Sequence, residues 1–223
     1  PCWTAGRTDP MTLARSFWGT LLVASLGLVP ALRAQDLPED IDSLPAAGLG
    51  RLTQDQISIT LQQGDLQIRF LPLNKALLRL LAPDGYSSMR SILQSRQGAV
   101  DSAAQRAGIT RPGVVLVTFF AQRANVTYQP QDLFLDQRNQ IFRPVAIIPY
   151  SGGFTGQQLQ ARGQATAIYV FELPVPVFEG FQVGYGTTVS DAWNDAMPAI
   201  KRERDRVVNR WRASHADTTS RSR

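Results

Sequence analysis

The chain has 223 residues, 43% of them hydrophobic, and a formal net charge of +5. Its single histidine, His215, sits in a polar tail and its single cysteine, Cys2, lies ahead of the first methionine, a placement that argues against Ser-His-Asp and Cys-His nucleophilic machinery and the usual zinc sites. The charge is uneven: Lys201 to Arg223 carries eight basic and three acidic residues, whereas Gln35 to Ile200 nets −2, so the body is not a basic nucleic-acid-binding surface.

The first methionine is Met11, so residues 1–10 read as upstream translated sequence or a cloning scar. Residues 11–34 have the layout of a secretory signal peptide: Arg15, an apolar run from Phe17 to Val29, then "ALRA" ending at Ala34. That run is 13 residues long, against the roughly 20 that cross a bilayer. Cleavage after Ala34 is the expectation, with retention as an N-terminal anchor the alternative. The expected location is the periplasm or cell envelope, or outside the cell. Without Cys2 the mature chain has no disulfide and must be held by its core. Residues 35–50, "QDLPEDIDSLPAAGLG", are acidic and aperiodic and read as a linker.

Residues 51–190 read as one β-rich domain. "ISITL" (Ile57 to Leu61) and "GDLQIRFLPL" (Gly64 to Leu73) alternate apolar and polar and predict a hairpin across "QQGD". A helical insertion comes next, at about 75–107. Asn74 caps "KALLRLLA", "PDG" stops that helix, and a 3.6-residue apolar period runs from Met89 to Ala107, interrupted by Gly98. This predicts two helices or one broken helix, with Gly108 ending it.

"VVLVTFF" (Val114 to Phe120) is continuous, β-branched and aromatic, and predicts a central strand. A second short strand, a turn at "DQRN" (Asp136 to Asn139) and a third strand through "VAII" come after it. "YSGGFTGQQLQARGQ" is rich in glycine, but no lysine or helix succeeds it, so it reads as a connection between strands and not a phosphate cradle. Tyr150 and Phe154 flank this link and form a candidate partner-binding patch, unless they close the end of the core. "ATAIYVFELP" and "EGFQVGYGT" complete the strands. Strands without βαβ alternation predict an antiparallel sandwich.

Residues 191–214 predict a basic amphipathic helix, or two with Pro198 opening the second. Trp193, Met197, Ile200, Val207 and Trp211 form its apolar stripe, and Arg202, Arg206 and Arg210 are candidate contacts to an anionic surface. Residues 215–223 read as a disordered tail.

The stretch from Asp136 through Pro144, Gly163 in the loop, and Val170-Phe171 with Pro174 resemble exported bacterial immunoglobulin-like domains of unknown function, over about Gly113 to Gly186. The resemblance implies an exported setting and an immunoglobulin-like fold, from which the helical insertion departs; with the elements read above, the expected fold is mainly β (α+β), an immunoglobulin-like antiparallel β-sandwich with a helical insertion and a C-terminal helix. It supplies no catalytic residues. The favoured function is a non-enzymatic interaction or accessory module of the cell envelope, without cofactor or metal and without specific nucleic-acid binding. Its partner would be a protein or an envelope component. The alternative is a carboxylate-based hydrolase of envelope polysaccharide using Asp132/Asp136 or Glu172/Glu179 across a cleft.

Overall fold

The alternation read from the sequence decides which side of each strand is buried. The computed structural model describes residues 47–220, with side chains through Ser214. The upstream segment 1–10, the signal peptide 11–34 and most of the linker 35–50 lie outside the described residues.

In chain order the strands are β1 (Ile59–Gln63), β2 (Leu66–Pro72), β3 (Gly113–Ala121), β4 (Val126–Thr127), β5 (Leu133–Gln137), β6 (Gln140–Phe142), β7 (Ala146–Pro149), β8 (Gln158–Leu159), β9 (Gln164–Phe171), β10 (Gln182–Tyr185) and β11 (Thr188–Ser190). The helices are α1 (Lys75–Leu78), α2 (Pro83–Arg106) and α3 (Ala192–Ser220). The architecture is α+β. A five-stranded sheet runs β1-β2-β3-β9-β7, a four-stranded sheet β11-β10-β5-β6, and β4 pairs β8. All the strand pairs are antiparallel, and among the described residues neither large sheet closes into a barrel.

β3 buries every second residue. Val115, Val117 and Phe119 share one face with Ile68 and Phe70 of β2 and Ala167 and Tyr169 of β9. That face and Leu133, Leu135, Phe142, Val183 and Tyr185 of the four-stranded sheet belong to one buried core. The opposite face of the five-stranded sheet is partly covered by α2, where Val100 packs on Ile168 and Val170. Among the described residues no helix is long and apolar enough to cross a membrane.

Three hairpins turn in two residues. β1 and β2 meet at Gly64-Asp65, as expected. β5 and β6 meet at Arg138-Asn139, both with positive φ (54° and 63°), the type I′ geometry that suits the twist of a hairpin. The strand expected within Glu179 to Thr187 is β10, and a further strand, β11, succeeds it in a third hairpin about Gly186-Thr187. Gly184 in β10 lies opposite Phe134, and a Cβ there would overlap the Phe134 ring.

Several boundaries differ from the sequence reading. α1 is a single turn, capped by Asn74, whose Oδ1 accepts from the Ala76 and Leu77 amides at 2.9 and 3.2 Å. "PDG" does not stop a helix but starts α2, because proline at the first helical position forfeits no intrahelical bond. α2 is one helix through Gly98. It ends in a Schellman motif: Gly108 has φ +69°, its amide donates to Gln105 and the Ile109 amide donates to Ala104. The strand expected through "IFRPVAII" is two strands in different sheets, because Arg143-Pro144-Val145 turns the chain from β6 to β7. The end of the linker belongs to the fold: Leu49 packs on the core, and Leu52 forms a bridge to Leu81. α3 is one helix with Pro198 inside it, and it runs past Ser214 into the stretch read as a disordered tail.

Phe119 is fully buried on the central strand, so Phe119→Ala should cost about 3–5 kcal/mol in denaturant unfolding. A loss below about 1 kcal/mol would contradict its placement. Gly98 has open space around its Cα and helical backbone, so Gly98→Ala should raise stability by roughly 0.5–1 kcal/mol, read as a higher melting temperature.

Candidate functional site

The glycine-rich link leaves β7, forms a short 3-10 turn at Gly152–Gly156, and reaches β9 through β8. Its aromatic residue points inward. Phe154 is 5% exposed, with its ring 5.8 Å from Tyr128 and 6.2 Å from Phe119. The Tyr128 hydroxyl donates to the Phe154 carbonyl at 2.6 Å. Phe154 is therefore a core residue that anchors the link, which removes it from the expected surface patch: a benzyl side chain gains more from the apolar core than from water. Tyr150 stays at the surface, 37% exposed, with the Arg96 guanidinium 5.7 Å from its ring centroid.

Two more buried tyrosines hold the segment between β4 and β5. Tyr169 donates to the Pro130 carbonyl at 3.0 Å, and Tyr185 accepts from the Gln129 amide at 2.8 Å. A buried irregular segment must find partners for its backbone polar groups, and these hydroxyls supply them. Burial pushes the Tyr128 phenol up to about 12, with Tyr185 adding to the effect. Burial also raises Tyr169 and Tyr185. This set escaped the sequence reading. The available signal was the position of Tyr128 just before Gln129-Pro130, where the chain leaves the strand pattern.

The stripe of α3 docks. Trp193, Ile200 and Val207 are fully buried at seven-residue spacing, and Trp193 lies 5.0 Å from Phe181. Met197 and Trp211 are half-buried. The cations divide. Arg206 bonds Glu203 at 2.6 and 2.7 Å and also donates to the Leu49 carbonyl, while Glu203 accepts from the Arg51 amide at 2.8 Å. The Glu203 side chain is 11% exposed, and the bond from Arg206 holds its carboxyl below the ordinary range; the same bond raises Arg206. Arg206 thus fastens α3 to the start of the domain and is not a free surface cation, because its guanidinium is already committed. Arg202 and Arg210 are exposed, and Arg204 lies 4.3 Å from the Phe178 ring.

The carboxylates expected in pairs engage different neighbours. Asp132 sits exposed in a 3-10 turn, while Asp136 is a strand residue opposite Gln182 and Ile141. Glu179 is bonded to Arg138 at 3.0 Å. Glu172 borders an open cleft of about 540 Å³ between the end of α2 and the end of β9, whose walls are Ala107 to Arg111 and Glu172 to Pro174. Among the described residues no group of three or more His, Cys, Asp or Glu side chains could hold a metal ion.

No protein-family model, curated protein or solved structure matches this chain. Among the described residues, the surfaces the geometry leaves open include Tyr150 with Arg96, the outward cations of α3, and the cleft beside Glu172.

The buried tyrosines set a limit at high pH. A phenol whose folded pKa is raised contributes stability that is complete below its unfolded value near 10 and lost as pH rises towards the folded value, about 12 for Tyr128. Phenolate absorbance of Tyr128, Tyr169 and Tyr185 should therefore appear together with loss of near-ultraviolet circular dichroism. Their titration near pH 10 in a chain that keeps its tertiary signal would contradict this arrangement.

Proposed function

We propose that the chain is an exported, non-enzymatic interaction or accessory module of the bacterial cell envelope, built on an immunoglobulin-like sandwich. The observation that carries this reading is the way α3 is mounted. Trp193, Ile200 and Val207 seat it on the core, Arg206 and Glu203 tie it to Leu49 and Arg51, and Arg202 and Arg210 face solvent. The helix then continues through Ser220, roughly 20 Å beyond Val207. A rigidly seated helix with outward cations suits an anionic partner or surface.

Two antiparallel sheets around one core, with a tyrosine hydroxyl holding a crossing segment, agree with the immunoglobulin-like reading. The signal-like residues 11–34 support export. The dispersed carboxylates favour a module over a hydrolase, since glycosidic chemistry needs two carboxyls facing each other across a cleft.

The test is binding to anionic phosphatidylglycerol vesicles and to envelope extract. Replacing both exposed cations, Arg202→Gln with Arg210→Gln, should leave the melting temperature unchanged and weaken binding. Binding by the parent should fall with salt, as the Debye length shrinks from about 10 Å at 0.1 M to about 3 Å at 1 M. Deleting residues from 201 onward removes Val207 as well and should lower the melting temperature. Equal binding by parent and double variant would refute the role of α3.

A further inference from the structure

α2 leaves part of the five-stranded sheet uncovered on its outer face. Val100 covers Ile168 and Val170, with Ile92 and Ile148 beside them. Along the strands, away from this contact, lie two cross-strand rows. One is Arg69–Thr118–Thr166 and the next is Gln67–Phe120–Gln164. Their side chains point away from the core, and all are half-buried or exposed. The Tyr150 amide donates to the Thr166 carbonyl, so Tyr150 extends the first row, with Arg96 of α2 at its ring.

The side-chain chemistry of this surface is specific. Phe120 on β3 and Tyr150 at the end of β7 are two strand spacings apart, about 10 Å across the sheet. Between and beside them stand hydroxyls and amides, which both donate and accept hydrogen bonds. Thr118 and Thr166 already pair at 3.1 Å. Among the described residues, the charged groups in these rows and on the bordering helix turn are the guanidiniums of Arg69 and Arg96. Asp55 pairs with Arg69 at 2.7 Å and the Arg69 Nε donates to the Ser58 hydroxyl at 3.2 Å, so Arg69 is committed and Arg96 carries the charge available to a ligand.

This pattern selects among partners. A protein partner needs a desolvated apolar pocket for its anchor residues, and the rows offer none. A nucleic acid carries a phosphate every few ångströms and needs many cations, and here Arg96 alone is uncommitted to a carboxylate. A polymer of sugar rings fits: its C–H faces lie on aromatic rings, its hydroxyls pair with the amides and threonines, and a sparse carboxylate meets the exposed Arg96 guanidinium.

We propose that the uncovered part of the five-stranded sheet is a binding platform for an extended acidic polysaccharide. The proposal names a partner class for the interaction module and rests on that reading, but uses a surface separate from α3.

The probe is a hexamer of galacturonic acid, titrated into the full chain by calorimetry. Saturable binding is expected, stronger than that of a neutral glucose hexamer. Arg96→Met keeps the length of the exposed side chain and removes its charge. It should weaken binding about ten-fold at unchanged melting temperature. Gln67→Ala with Gln164→Ala should also weaken it, whereas Arg202→Gln with Arg210→Gln should not. Absence of saturable binding at millimolar hexamer would overturn the platform, as would binding unmoved by Arg96→Met or tighter binding of single-stranded DNA than of the hexamer. A chain that captures envelope material through α3 but ignores the hexamer loses the platform and keeps the module reading. A chain that binds neither loses both.

Discussion

The ring of Phe119 is the point on which the core converges. It stacks on Tyr128 at 4.5 Å and stands edge-on to Tyr185 at 5.8 Å, with Phe154 at 6.2 Å. These residues come from the central strand, the segment after β4, the last hairpin and the glycine-rich link. A second aromatic series, Phe70, Phe181 and Trp193, joins β2 to the start of α3. Segments far apart in the chain therefore share one desolvated contact, and large rings supply the buried area that a chain without disulfides needs.

The same constraint determines what remains for function. Drawing Phe154 and the stripe of α3 into the core takes them off the surface, where Ile141, Val145, Tyr150, Leu173 and Val189 stay exposed. Arg206 and Glu203 illustrate how a charge pair serves structure: each bonds backbone at the start of the domain, at Leu49 and Arg51, and their mutual bond shifts both groups towards the charged form. Arg202 and Arg210, on the same helix, carry the outward charge. At about 100° per residue Arg210 is nearer the stripe than Arg206, so the division comes from the partners that meet Arg206, the Glu203 carboxylate and the Leu49 carbonyl.

Local chemistry was legible where one short segment contains its own instructions. The continuous β-branched and aromatic run "VVLVTFF" predicts the central strand, Asn74 predicts a cap, and Gly108 predicts the end of α2, and each is found. "PDG" was misread because the same three residues suit a turn or a helix start, and the packing of the residues after Gly85 against the sheet decides between them. "IFRPVAII" was misread because nothing local says that a proline corner moves the chain from one sheet to the other. The candidate site was less legible than the fold. Tyr150 and Phe154 are equally aromatic and four residues apart, yet one meets solvent and one meets Phe119.

The sequence by itself determined the strand periodicity, the caps, the apolar stripe of α3 and the lack of histidine and cysteine chemistry, because these depend on residue type and spacing along the chain. Only the tertiary structure decided which cations stay free, which aromatics are buried, and that α2 covers part of one sheet. Those outcomes depend on which distant segments compete for the same apolar surface, a competition settled by packing across the core and invisible to any local window.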